Sequence, residues 1–481
     1  MGDEAEQTMK RSRLTVASWM ISPLIVLGLA GNASADGRAA QAPLQRTQAD
    51  ASPQKATTDL KAAAAKVVDL LVKGKFVEVN QKFDPTMQKG LSAEKLKQTW
   101  QSIVAEVGPF KRQVSSRIEK VQQYDVVSVT CDFAKAKLDV QVTFDRSQKI
   151  AGLHLIPPNQ ATVDSYQAPG YVKRDTFEEQ AVTVGAGPSA VTGVLTLPKG
   201  PGPFPAVVLV QGSGPHDRDE TIGPNKPFRD LAWGLSSQGI AVLRYDKRTL
   251  VHPDQFSSSF TVKEEVTDDA IAAIALLRQT KSINPDQIFV LGHSLGGMLA
   301  PRIAQQEPTL AGLIILAGNT RPFEDLFVAQ SIYLASLRDK MTSREKQTIA
   351  TFKKQAERIK SRDLAKAAPT EILLGAPPAY WLDLRTYNQR TVAKDLKQPM
   401  LILQGERDYQ VTLEDFRGWQ KALSDHKNAT LKTYPALNHL FMPGEGKGNP
   451  SEYQTPKHVD ETVVNDIASW VKQQLVVGSQ Q

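Results

Sequence analysis

At 481 residues the chain is too long for one ordinary hydrophobic core, so at least two domains are expected, and 41% hydrophobic with 23% charged residues is the balance of a folded soluble protein. Its net charge is +7, and residues 321–397 alone hold 15 Lys and Arg against 9 Asp and Glu. One cysteine, Cys131, excludes an intramolecular disulfide and any cysteine-based zinc site.

Near the N-terminus Lys10, Arg11 and Arg13 precede an apolar run that peaks at residues 24–29, and Ala33-Ser34-Ala35 supplies small residues for cleavage. Residues 1–35 therefore read as a secretory signal peptide: the run is short for a bilayer span and contains Pro23, and no cysteine sits near the cut to carry a lipid. The expected product is exported, periplasmic or extracellular, with no integral membrane span once the signal is removed. Residues 36–57 lack periodicity and read as a disordered linker.

Helical spacing follows in Leu60, Ala64, Val67, Val68 and Leu71, and again in Leu96, Trp100, Ile103 and Val107 before Gly108-Pro109 stops it. Strand-like runs come next at residues 114–121, 126–133, 136–144 and 150–156, separated by turn-prone segments such as residues 122–125. Helices first and an antiparallel sheet after them predict a small α+β domain over residues 58–157, with a second linker over residues 158–176. Cys131 falls in one of these strands as a small buried residue.

From residue 177 onward the pattern changes. Two strands near residues 179–184 and 191–197 lead into continuous apolar runs at residues 206–210, 240–244, 288–291 and 313–316, with helical stretches at residues 228–238 and 264–279 between them. Apolar runs of this kind suit strands buried on both faces, and their alternation with helices predicts a mostly parallel, doubly wound sheet. The run ending at Leu291 enters Gly292-His293-Ser294-Leu295-Gly296-Gly297 and then a helical pattern. A serine on a sharp strand-to-helix turn has its hydroxyl pushed out of the sheet, and the following helix N-terminus favours developing negative charge, so Ser294 is the candidate nucleophile. Its base and orienting acid are expected downstream. Asp408 lies past the strand-like run at residues 399–405, and His439 lies past the strand at residues 430–434. Glu406 is the rival acid, nearer its strand. His154, His216, His252, His426 and His458 lack that context, and the His293 side chain should point to a different side of the turn from Ser294.

With these residues placed, the chain from about residue 177 resembles the α/β-hydrolase family, especially its esterases. Residues 211–219 resemble that family's oxyanion loop, with Gln211 where histidine is common, and the resemblance implies the backbone N–H groups of Ser213 and Leu295 as oxyanion donors. Residues 319–398 stand where such enzymes insert a cap over the site, with Ile349, Phe352, Ala356 and Ile359 at helical spacing. Arg244-Tyr245-Asp246-Lys247-Arg248 resembles a family segment that commonly continues with glycine, here Thr249, and reads as an ion-pair network with Asp217 or Asp219. Residues 217–220 and 444–446 are polar or flexible enough to line the mouth of the site. The smaller domain resembles the NTF2-like or cystatin-like domain of unknown function, DUF3887, found ahead of some exported hydrolases, on Phe76, Phe83-Asp84, Met87, Leu91-Ser92, Trp100 and Gly108-Pro109-Phe110.

These readings imply an exported serine carboxylesterase acting on a small-molecule ester, with no cofactor, no metal and no nucleic-acid partner. A serine peptidase for small amides, or a polymer- or cell-wall-binding protein with secondary hydrolase activity, are the alternatives.

Overall fold

The computed structural model describes residues 53–121, 124–156, 166–256 and 259–478. The expected signal peptide, most of the first linker, Pro157 at the end of the expected small domain and residues 158–165 of the second linker lie outside the described residues, as do Gln122 and Gln123 of the first predicted turn. Two compact units are present, one through Ile156 and one from Tyr166.

The first unit packs four helices, α1 (Pro53–Val72), α2 (Phe76–Asn80), α3 (Pro85–Gly90) and α4 (Ala93–Val107), with a four-stranded antiparallel sheet in sequential order. Its strands are β1 (Phe110–Val121), β2 (Tyr124–Phe133), β3 (Lys137–Phe144) and β4 (Ile150–Ile156). The helical periodicity corresponds to burial: Leu60, Ala64, Val67, Val68 and Leu71 of α1, and Leu96, Trp100, Ile103 and Val107 of α4, meet the inner sheet residues Val127, Val129, Val140 and Val142 in one apolar cluster. Asp84 caps α3 by accepting from the Met87 N–H at 2.6 Å, and Gly108, at φ 81°, ends α4. Helix α1 begins at Pro53, inside the segment expected as linker, because a proline fits the first helical turn, where its missing N–H costs nothing.

The second unit is built on an eight-stranded sheet in the order β5-β6-β8-β7-β9-β10-β11-β12. The strands are β5 (Phe177–Val184), β6 (Val191–Pro198), β7 (Phe204–Val210), β8 (Ala241–Tyr245), β9 (Ile283–His293), β10 (Gly312–Leu316), β11 (Met400–Gly405) and β12 (Ala429–Tyr434). β6 pairs antiparallel with both β5 and β8, and the other pairs are parallel. Helices α5 (Pro227–Ser236), α6 (Arg248–Val251), α7 (Asp268–Arg278) and α8 (Leu295–Gln306) link the first parallel strands. The stretch expected as one helix over residues 264–279 is a π turn, Lys263–Thr267, leading into α7. The insertion between β10 and β11 forms α9 (Phe323–Ser336), α10 (Ser343–Lys360), α11 (Pro378–Arg385) and α12 (Gln389–Asp395). Helices α13 (Leu413–Ala422) and α14 (Glu461–Gly478) complete the unit.

The boundary with the second linker lies earlier than residue 177. The Tyr171 hydroxyl donates to the Val459 carbonyl at 2.8 Å, the Tyr166 hydroxyl bonds Asp230, and the Arg174 guanidinium stacks over Phe177 and Trp233, so residues 166–176 are packed onto this unit.

The chain leaves β7 for β8 on one side and reaches β9 on the other, with Val210 in register with Gly292. Strand order therefore reverses between β7 and β9, and in open parallel sheets the crevice beyond the strand ends at such a reversal is where ligands bind. The loops that begin at Gln211 and at Ser294 open from this point.

Candidate active site

Every residue from Ile288 to Pro301 is buried except Ser294, which is half-buried. The backbone at Ser294 has φ 53° and ψ −114°, a conformation that costs on the order of 1–3 kcal/mol for a residue with a side chain. Two glycines make that turn possible. A Cβ on Gly292 would stand 2.2 Å from the Gly296 carbonyl oxygen, and one on Gly296 would stand 2.2 Å from that of Val210. The turn is further held by the Ser294 N–H donating to the Leu316 carbonyl at 2.9 Å and by the Ser294 carbonyl accepting from Met298 at 2.9 Å. Leu295 is the first residue of α8, so its N–H has no acceptor within the helix and sits at the positive end of the helix dipole.

Asp408 and His439, which stand 31 residues apart in the chain, meet at 2.6 Å through Asp408 Oδ2 and His439 Nδ1, and both are buried. The other carboxylate oxygen accepts from the N–H groups of Gln410 at 2.8 Å and Val411 at 3.0 Å, and Gln404 donates to Oδ2 at 3.1 Å. A carboxylate with this many donors is fixed in orientation, and it holds the imidazole with Nδ1–H toward it and Nε2 free to take a proton. The His439 ring lies 4.6 Å, centroid to centroid, from that of His293, which brings it beside the Ser294 turn. Glu406 is exposed and accepts from the Thr433 hydroxyl at 2.8 Å, so it takes no part in this cluster.

The loop after β7 reaches the same place. A Cβ on Gly212 would lie 3.2 Å from Ser294 Cβ, so the backbone leading to Ser213 runs against the serine. Of residues 217–220, Asp217 and Arg218 are half-buried, whereas Asp219 and Glu220 are buried. Glu220, at φ 50°, turns its carboxylate under the loop and accepts the Gly212 N–H at 2.6 Å through Oε1, while Oε2 lies 2.9 Å from His293 Nδ1. His293 Nε2 lies 2.9 Å from the His439 carbonyl oxygen. Both ring nitrogens of His293 therefore face acceptors, the arrangement of an imidazolium. Burial opposes charge on both partners, but the Glu220 carboxylate outweighs it and raises the His293 pKa, while His293 holds Glu220 below the usual carboxylate range. This pair ties together the Ser294 turn, the loop after β7 and the backbone of His439. Its histidine was legible only as pointing away from Ser294, and nothing in an acidic loop singles out Glu220 before the fold buries it.

The polar segment after β8 forms an ion-pair network, distributed more widely than expected. Arg244 reaches Asp219 at 3.3 Å and also pairs with Glu179; Arg218 pairs with Asp246, Lys247 with Glu265 at 2.6 Å, and Arg248 with Asp269. Asp217 instead accepts from the Asp219 and Thr221 N–H groups and the Thr221 hydroxyl. The remaining histidines are outside the cluster: His252 and His426 bond backbone carbonyls, His458 bonds Asp230, His216 bonds the Ser213 carbonyl at 2.7 Å, and His154 is in the first unit. Among the described residues no group of three or more His, Cys, Asp or Glu is placed to hold a metal ion, and no helix is long and apolar enough to cross a membrane.

The insertion packs on the elements that carry the site. The Tyr387 hydroxyl donates to the Met298 carbonyl at 2.7 Å, and Arg302 of α8 forms a two-pronged pair with Asp383. Ile349, Ala356 and Ile359 of α10 are buried, with Phe352 packed beside them against Phe327.

The strand order and the strained serine turn after β9 define the second unit as an α/β-hydrolase. A profile of the family described as serine aminopeptidase, S33, matches residues 223–446, and one described as a protein of unknown function, DUF3887, matches residues 64–153. The esterase EstD of Thermotoga maritima is 42% identical over 382 residues, which cover 79% of this chain and 88% of that one. The 2,6-dihydropseudooxynicotine hydrolase of Paenarthrobacter nicotinovorans is 29% identical over 164 residues, 34% of this chain and 40% of the relative. Among solved structures, Est1E from Butyrivibrio proteoclasticus aligns with 17% identity and a TM-score of 0.41, covering 62% of this chain and 99% of that one. With 88% of EstD covered at 42% identity, the chain belongs to the α/β-hydrolase family of that esterase and carries a DUF3887 domain ahead of the hydrolase.

Proposed function

We propose that the protein is an exported serine carboxylesterase. The observation that carries this reading is the buried 2.6 Å contact of Asp408 with His439, beside a serine held at φ 53° at the head of α8. His439 Nε2 takes the Ser294 proton as Oγ attacks the ester carbonyl. The N–H groups of Ser213 and Leu295 hold the tetrahedral oxyanion. Collapse of the intermediate breaks the C–O bond to the alcohol, which leaves with the proton from His439. Water, deprotonated by His439, then attacks the acyl-enzyme and releases the acid and Ser294. Asp408 keeps the imidazole in the tautomer that makes this possible. The 42% identity to an esterase supports an ester as substrate, and residues 1–35 support export.

The family description as an aminopeptidase motivates a second reading, hydrolysis of small aminoacyl amides by the same residues. A panel of p-nitrophenyl esters of increasing acyl length against aminoacyl p-nitroanilides separates the two. Turnover of esters, with Ser294 labelled by a fluorophosphonate, is the expected outcome. Anilide turnover with inert esters establishes the second reading, and no labelling of Ser294 overturns both.

A further inference from the structure

Ser213 is bonded to Gly212 through a peptide group whose two polar ends point in opposite directions, the Gly212 carbonyl oxygen and the Ser213 N–H. Whatever holds that oxygen also aims that N–H. The oxygen is held by a buried cation: Lys247 Nζ donates to it at 2.7 Å. The same ammonium lies 2.6 Å from Glu265 Oε1, and the Lys247 N–H donates to the His216 carbonyl at 3.0 Å, so this one residue grips the loop at two points. Glu265 is itself buried, on the π turn Lys263–Thr267, where the extra residue per turn re-aims side chains. Close to its carboxylate lies Tyr380, a buried residue of α11 in the insertion. Tyr380 also packs edge-on against Phe260 at 5.6 Å.

A buried lysine and glutamate are expensive to desolvate, and hydrophobic residues of like size would often be as stable. The ordinary structural role of an ion pair does not explain why the lysine spends a donor on a glycine carbonyl in the loop beside Ser294. Resting on the oxyanion role given to Ser213 above, we infer that Lys247 is a positioning residue for that donor. Its ammonium fixes the plane of the 212–213 peptide and draws electron density toward the carbonyl oxygen, which makes the Ser213 N–H a stronger donor to the oxyanion. Glu265 holds the ammonium in place, so the chain of contacts runs Glu265, Lys247, Gly212 carbonyl, Ser213 N–H. The peptide on the other side of Gly212 is held independently, its N–H bonded to Glu220 at 2.6 Å, so loss of the lysine frees one peptide group and leaves the loop anchored.

The test uses the full chain, p-nitrophenyl butyrate as substrate and an alkyl trifluoromethyl ketone, whose adduct with a serine is a tetrahedral oxyanion. The double variant Lys247→Met/Glu265→Gln removes both buried charges and leaves neither orphaned. Its kcat should fall by about 10²-fold, the scale of losing one oxyanion donor, with KM within about threefold and ketone affinity lowered by the same factor as kcat. Glu265→Gln alone leaves the ammonium a side-chain oxygen to bond, and should lower kcat and ketone affinity together by roughly two- to tenfold, the scale of one hydrogen bond. Unchanged kcat and ketone affinity in Glu265→Gln and in a folded double variant overturn the inference. So does an equal loss of affinity for the ketone and for the corresponding alcohol, which cannot form an oxyanion. A parent protein that the ketone does not inhibit and fluorophosphonate does not label overturns instead the serine-hydrolase reading on which the inference rests.

Discussion

The two units bury different things. In the first, the buried side chains are almost all apolar, and among the described residues the buried polar ones are Ser128 and Asp139, with Thr130 bonding Asp139 at 2.7 Å and Arg117 pairing with it at 2.7 Å. In the second, Gln211, Glu220, Lys247, Glu265, His293, Asp408 and His439 are all buried, and they gather past the C-terminal ends of β7, β8, β9, β11 and β12 or, for Glu265, on the turn before α7. Since burying polar and charged groups costs several kcal/mol each unless partners compensate, such a concentration marks the place where a fold has been shaped by chemistry as well as by stability. Among its described residues the first unit shows no such place.

The sharpest way to break this comparison is to remove the nucleophile. Ser294→Ala should lower kcat on a p-nitrophenyl ester by a factor on the order of 10⁴ to 10⁶ with an unchanged melting temperature, because no core volume is lost. Retained turnover would move the chemistry elsewhere. Next, Asp408→Asn should cost about 10⁴-fold in kcat by allowing the wrong imidazole tautomer, while Glu406→Gln, an exposed change, should leave kcat within about twofold. If the two outcomes were exchanged, the buried acid would be ornamental. Gly296→Ala tests whether the turn depends on close backbone approach: with its Cβ 2.2 Å from the Val210 carbonyl oxygen, the variant should unfold at least about 3 kcal/mol more easily in urea and lose activity with it.

The Glu220–His293 pair gives a smaller effect with a defined pH signature. His293 is raised above its ordinary 6.5, so its contribution is complete below 6.5 and is lost as pH rises through the raised value. Glu220 is lowered below its ordinary 4.5, so its contribution is complete above 4.5 and is lost as pH falls through the lowered value. Glu220→Gln should therefore be less stable than the parent by about 2 kcal/mol between those limits, with the deficit narrowing on the acid and alkaline sides. A deficit independent of pH would mean that the two groups do not share a charge. The smallest effect belongs to the first unit. Deleting residues 36–157 should leave a hydrolase whose kcat/KM on a small ester stays within about threefold of the parent, since that unit contributes packing of its own and no polar constellation. A folded but inactive truncation would erase the contrast between the units.

Much of this was legible in the residue order, for reasons that are local. Apolar runs at residues 206–210, 288–291 and 313–316 must be buried on both faces, helical spacing in α1, α4 and α10 must face a core, and a serine between close-packed glycines past a strand end carries its own geometry. Asp408 and His439 were reachable because parallel sheets put sites at one end of their strands, so position after a strand is information about space. The extent of residues 166–176 was not legible, since what ends the linker is Tyr171 meeting Val459, 288 positions away. Nor was the π turn in the predicted helix over residues 264–279, because helical spacing of apolar residues carries no mark of one extra residue in a turn.

What the sequence determined by itself was the alternation of elements and which loops carry the serine, the acid and the histidine, since those follow from periodicity and from turn chemistry within a few residues. What the tertiary structure alone decided was the second layer of charge around them. Glu220 with His293, and Lys247 with Gly212 and Glu265, join residues 73, 35 and 18 positions apart. No local rule links such residues, because a buried charge is stabilised by whatever partner the packed fold brings within about 3 Å, and that distance exists only once the sheet, the loop after β7 and the cap have closed on one another.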